Sequence, residues 1–189
     1  MIADDLFLTA GHCFNPKQEK GWICPSRKGV TITPAEIAPL MQVNFKWQYE
    51  GHTQNLRPTD SFPVVELLEC EWLGLDYAIV RIGRNGNNQL PNYRTLTVAR
   101  QDVTTKGEML CIIQHGAKTP KRVATGPMTD NRAGIISYDT LDTYGGASGA
   151  PIFGEAGSIV GVHTNGDCAQ GANYGQAIGA ILKVSKLIP

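Results

Sequence analysis

A serine hydroxyl is a poor nucleophile until a base takes its proton. The attacked carbonyl oxygen also needs N–H donors aimed at the charge it develops. Ser148 lies in Gly145-Gly146-Ala147-Ser148-Gly149-Ala150-Pro151. Glycines there tolerate positive φ and can turn successive N–H groups into one concavity. The expected donors are the N–H groups of Gly146 and Ser148. A Gly-x-Ser-Gly string alone is also what an ordinary glycine-rich turn looks like, so the reading depends on a base and its partner. Four histidines are available: His12, His52, His115 and His163. His12 follows an apolar run in Leu8-Thr9-Ala10-Gly11-His12-Cys13, where a sheet can hold the imidazole at the mouth of a cleft. His52 sits in a polar loop and His115 at a strand end followed by glycine; both read as turn or surface histidines. Asp76 is the best third group, because it precedes the apolar run Tyr77–Ile82 and a carboxylate at the start of a buried strand needs a partner. Its plain alternative is a turn aspartate.

These residues need strands to position them. Residues 41–49 alternate apolar and polar with period two, as a half-buried strand does. Further strand-like runs occupy 6–10, 62–68, 77–82, 95–99, 109–114, 122–125, 134–138, 150–153, 159–163 and 174–178, bounded by Gly, Pro, Asp or Asn. Residues 180–188 carry apolar positions at helical spacing and suggest a short closing helix. Gly83-Arg-Asn-Gly-Asn-Asn-Gln-Leu-Pro-Asn92 is rich in glycine and asparagine and reads as a linker. The economical organisation is all-β: a unit over 1–85 carrying His12 and Asp76, a linker over 83–94, and a unit over 95–189 carrying Ser148.

The composition fits this. Apolar residues make up 42% of the 189, enough for a sizeable core, and 21 glycines and 11 prolines favour a turn-rich β protein. The formal net charge is zero, with 17 basic and 17 acidic residues. Lys118, Lys121 and Arg122 form the densest basic cluster, too small for a nucleic-acid footprint. Five cysteines show no CxxC pair and no metal-ligand spacing, so neither a metal nor a cofactor is expected. Their odd number leaves at least one unpaired within the chain. Cys111, inside Met109–Ile113, reads as a small buried hydrophobe; a bridge between Cys13 and Cys24 stays open. No signal-peptide pattern and no membrane-length apolar run is visible.

The chain order His12, Asp76, Ser148 is that of the chymotrypsin template, not of subtilisins or α/β-hydrolases. Thr9-Ala10-Gly11-His12-Cys13, Asp76-Tyr-Ala-Ile-Val80 and Gly146-Ala147-Ser148-Gly149-Ala150-Pro151 resemble the three active-site blocks of the chymotrypsin-like serine peptidases. The similarity covers nearly the whole chain and is nearest to the bacterial V8-like, glutamyl endopeptidase group, whose segments 112–116, 136–140 and 159–164 also resemble. The resemblance implies two antiparallel six-stranded β-barrels with the site in the cleft between them. It implies a serine endopeptidase working through an acyl-enzyme on a protein or peptide substrate, as a secreted monomer with no nucleic-acid or membrane partner. By the same resemblance Thr143, His163 and Thr164 would line a pocket for an acidic side chain before the cleaved bond; the plain alternative for His163 is a packed strand-end residue. Only eleven residues precede His12, where the family has about two further strands, so the first barrel is expected to be incomplete, with an unpaired edge. A catalytically impaired binding module on the same fold and an esterase-like hydrolase are the competing readings.

Overall fold

The computed structural model describes residues 1–17, 26–102, 105–167 and 171–188. In chain order the strands are β1 (Leu6–Thr9), β2 (Ser26–Arg27), β3 (Val30–Thr31), β4 (Gln42–Phe45), β5 (Asp60–Glu71), β6 (Tyr77–Ile82), β7 (Met109–Gln114), β8 (Arg122–Pro127), β9 (Asp130–Arg132), β10 (Ile135–Tyr138), β11 (Pro151–Phe153), β12 (Ile159–Asp167) and β13 (Ala172–Ala177). Two short helices are α1 (Pro34–Ile37) and α2 (Ile178–Leu182). The fold is mostly β, with two curled antiparallel sheets forming half-barrels. One has four strands in the order β1-β6-β5-β4, the other seven in the order β8-β7-β11-β12-β13-β10-β9; β2 and β3 pair by themselves.

The first sheet, with four strands, is short of six as expected of an incomplete barrel, whereas the second has seven strands instead of six. In the four-stranded sheet β1 and β4 are the two edges and do not pair with each other. The expected strand at 95–99 is reduced to one parallel bridge, Val98 to Ile159. Its backbone bonds go to two different segments: Leu96 N–H donates to Met1 C=O, whereas Thr97 C=O accepts from Ile159 N–H. No single neighbour strand is available to extend a ladder. The closing helix ends at Leu182 instead of Ile188. Asp102 accepts the Gly179 N–H at 2.7 Å and so satisfies one of the donors left open at its start.

β6 explains how the halves are held. Tyr77 and Ile79 point one way, into a cluster with Ile159, Val162, Ile178 and Ile181 of the seven-stranded half. Ala78 and Val80 point the other way, against Phe14, Ile37 and Val64 inside their own half. Period-two alternation normally buries one face of a strand; here both faces are buried. Each fully buried aliphatic side chain contributes roughly 1.5–3 kcal/mol. The strand is thus anchored on both sides, and Asp76, immediately before it, inherits a fixed position. The second half has its own core of Leu110, Ile112, Met128, Ile136, Tyr138 and Ile152.

Cys13, Cys70 and Cys111 carry free thiols. Burial pushes both the Cys13 and Cys70 thiols up to about 12, with the Asp76 charge adding to it. Cys24, and with it the open question of a Cys13 bridge, lies outside the described residues.

Candidate active site

His12 stands on a short 3₁₀ turn, Gly11–Phe14, that follows β1 directly. Gly11 sets its place. A Cβ there would lie 1.8 Å from the Glu71 carbonyl oxygen and 2.7 Å from that of Tyr77, so only glycine lets the chain pass between the ends of β5 and β6. That passage brings His12 over Asp76. The Asp76 carboxylate uses both oxygens on it: Oδ1 accepts the His12 backbone N–H at 2.9 Å, and Oδ2 lies 2.7 Å from His12 Nδ1. The side chains are 36% and 16% exposed, so the carboxylate is the more buried of the pair. With Nδ1 facing a carboxylate, the ring proton belongs there, and Nε2 is left as an acceptor. Ser148 Oγ lies 2.9 Å from that Nε2 and 3.4 Å from the Thr164 carbonyl oxygen.

Ser148 comes from the loop between β10 and β11. The loop is tied to β12 by Gly149 N–H to His163 C=O (2.8 Å) and His163 N–H to Ala150 C=O (2.9 Å). Gly149 has φ +86°, and a Cβ on it would meet Thr9 Oγ1 at 2.1 Å. Glycine at this position lets the serine loop lie against the end of β1, next to His12. Gly146 has φ +97°. Ala147 N–H donates to Tyr144 C=O, whereas the N–H groups of Gly146 and Ser148 donate to no described residue.

The remaining candidates are arranged differently. His163 is 3% exposed, and its Nδ1 meets the Tyr138 hydroxyl at 2.5 Å. Burial pushes it down to about 4, helped by the His12 charge and opposed by a hydrogen bond to the Tyr174 backbone. At neutral pH it is an uncharged ring. Thr143 Oγ1 donates to Asn173 Oδ1 at 2.9 Å, and Thr164 is buried with its Oγ1 3.5 Å from the Tyr174 carbonyl. His115 stacks on Trp47 with ring centroids 5.3 Å apart and lines the same cavity as Ser148, and His52 is exposed in a turn; among the described residues neither is hydrogen-bonded to Ser148.

A cavity of about 380 Å³ lies between the halves, walled by Phe7, Phe45, Ile113, Phe153, Val162 and Ser148. Thr143, His163 and Thr164 do not line it. Among the described residues no group of His, Cys, Asp and Glu is arranged to hold a metal ion, and no helix is long and apolar enough to cross a membrane.

The sequence pattern of the trypsin-like peptidase domain matches residues 1–162, most of the chain. The chain belongs to the trypsin-like peptidase domain family. Its fold is similar to a solved Glu endopeptidase in complex with MPD, at TM-score 0.65 and 19% identity, over 97% of this chain and 80% of that one. It is also similar to a serine endoprotease from Yersinia pestis, at TM-score 0.63 and 18% identity, over 98% of this chain and 54% of that one. The chain thus spans about half the length of the second. No curated protein sequence matches it. Membership in the trypsin-like family supports serine endopeptidase chemistry in general and implies protein or peptide substrates. His12, Asp76 and Ser148 all fall inside the matched stretch, whereas His163 and Thr164 lie just past its end. Sequence reasoning missed Gly11, whose role appears only when β5 and β6 are in place. It also missed Gln176, whose side chain reaches the Asp76 backbone N–H at 3.2 Å.

Proposed function

We propose that the chain is a serine endopeptidase with Ser148 as nucleophile, His12 as general base and Asp76 as its orienting partner. One observation carries the reading: an unbroken line from Asp76 Oδ2 through the His12 ring to Ser148 Oγ, at 2.7 Å and 2.9 Å. Both distances are within hydrogen-bond reach, as nucleophile and base require. In the reaction Ser148 Oγ attacks the scissile carbonyl carbon while its proton passes to His12 Nε2. Asp76 stabilises the imidazolium that forms. The carbonyl oxygen becomes an oxyanion facing the free N–H groups of Gly146 and Ser148; losing one such donor typically costs about 3–4 kcal/mol. His12 then gives the proton to the leaving amine, the C–N bond breaks, and an acyl ester remains on Ser148. Water, deprotonated by His12, hydrolyses the ester by the same sequence and restores the serine.

We further propose a preference for Glu or Asp before the cleaved bond. Thr143 and His163 can both donate hydrogen bonds to a carboxylate. The fold likeness to a Glu endopeptidase points the same way. A neutral His163 would act as a donor rather than a charge, and substrate would have to displace contacts that Thr143 and His163 already make.

A fluorophosphonate probe is the direct test. The chain is expected to label covalently and Ser148→Ala is expected not to. A chain that hydrolyses peptides without labelling, or a Ser148→Ala variant that labels equally, would sink the assignment. Peptides differing only in the residue before the bond then test preference, with Glu expected to exceed Gln, Arg and Phe in kcat/KM.

A further inference from the structure

The serine and the aspartate of the site come from different halves of the molecule, so something must hold the halves in register at that point. We propose that Gln176, next to the last residue of β13, is the positioning residue that ties Asp76 to the sheet carrying Ser148. The proposal rests on the reading of Asp76, His12 and Ser148 as a catalytic triad.

Gln176 is 1% exposed. A buried amide is costly unless its polar ends are bonded, and both ends of this one are. Oε1 accepts the Asp76 N–H at 3.2 Å, and Nε2 donates to the Gly134 carbonyl at 2.7 Å. The amide has one workable orientation. Flipping it would set NH₂ against the Asp76 N–H and oxygen against the Gly134 carbonyl, two mismatches at once. Gly134 is itself fixed. It follows Ala133 in a turn where both residues have positive φ (+53° and +81°), as tight two-residue hairpins between β9 and β10 require. Its carbonyl also accepts the Ala177 N–H at 2.8 Å, and a Cβ on it would lie 2.8 Å from Ala180 Cβ.

From Gln176 the connection to the nucleophile is continuous. Gln176 pairs with Val162 across β12, and Gly175 pairs with His163. The His163 carbonyl accepts the Gly149 N–H, next to Ser148. Asp76 is thereby gripped at two places. Its carboxylate is engaged by His12 of its own half, and its backbone is engaged by the opposite half. Small displacements of such a constellation lower the rate of the chemical step more than they change substrate binding.

The test compares wild type with Gln176→Met, close in volume and without polar ends, and with Gln176→Glu, which keeps an acceptor for the Asp76 N–H but loses the donor to the Gly134 carbonyl. The readouts are kcat and KM on one peptide and the downfield proton NMR resonance of His12 Nδ1–H at low pH, which reports the His12–Asp76 contact without any catalysis. In Gln176→Met, kcat is expected to fall 10- to 100-fold with KM within twofold, and the resonance to move upfield or broaden. Gln176→Glu is expected to retain more of both. A folded Gln176→Met with unchanged resonance and kcat overturns the proposal while leaving the triad intact. If Gln176→Met does not fold, Gln176→Glu decides: retention of the resonance with partial loss of kcat supports the role, and an unchanged kcat overturns it. A wild type with neither the resonance nor Ser148-dependent turnover overturns the triad reading and this one with it.

Discussion

Two histidines flank the Ser148 loop, and the structure gives them opposite chemistry. His12 meets a carboxylate through Nδ1 and keeps a half-open position facing Ser148. His163 meets a phenol through Nδ1 and is almost wholly buried. A carboxylate can stabilise an imidazolium that appears during a reaction; a buried Tyr138, itself pushed far up by burial, can only share a neutral hydrogen bond. The same side chain is thus placed to pass a proton in one position and held as a fixed dipole in the other. The partner at Nδ1 and the access of water decide which, and residue type does not.

The largest effect expected from breaking this contrast is at His12. Asp76→Asn keeps the shape but offers an amide where the carboxylate was, and favours the wrong tautomer. It should lower kcat by about 10⁴-fold with the fold intact, measured as single-turnover kinetics beside circular dichroism. A loss below tenfold would mean that the carboxylate does not organise the base.

The next effect concerns stability and tests His163. The unfolded chain binds the imidazole proton near 6.5 and the folded one only near 4. As pH falls, the unfolded state takes up the proton first. His163 therefore leaves stability untouched above about 6.5 and withdraws it progressively down to about 4, by up to about 3 kcal/mol. Denaturant melts at a series of pH values should show this slope, and His163→Gln should flatten it. An equally steep slope in the variant would assign the acid sensitivity elsewhere.

The smallest effect separates the two histidines by function. Tyr138→Phe removes the phenol from His163 Nδ1 and leaves a buried nitrogen without that partner. It should cost about 1–3 kcal/mol of stability and reduce the preference for Glu over Gln before the cleaved bond. Turnover of a peptide without an acidic residue there should change little. Equal slowing on every peptide would show that Tyr138 acts through the catalytic step and not through the pocket.

Much of this was legible before any fold was known. The order of His12, Asp76 and Ser148, the glycines around the serine and the period-two runs are local signals, and β6, β7 and most of β12 fall where those runs predict. The hairpin β2–β3, the short β9 and the capped α1 were not seen, because each is too brief to build a periodic signal. The 95–99 run read as a strand because its residues are strand formers, but its backbone partners lie on two segments. His163 was marked by its position in the chain; that it would be buried and neutral was not.

The sequence by itself determined which residues can do chemistry here, because the reactivity of serine, histidine and aspartate is carried by the side chains. Tertiary structure alone decided that His12, already singled out by its neighbours in the chain, meets the aspartate through Nδ1 and the serine through Nε2. That arrangement depends on contacts between residues far apart in the chain: Gly11 threading between the ends of β5 and β6, Gly149 against Thr9, and Gln176 across one hundred positions to Asp76. No local pattern encodes such approaches, since each is a steric or hydrogen-bonded fit that exists only once both halves are folded and packed.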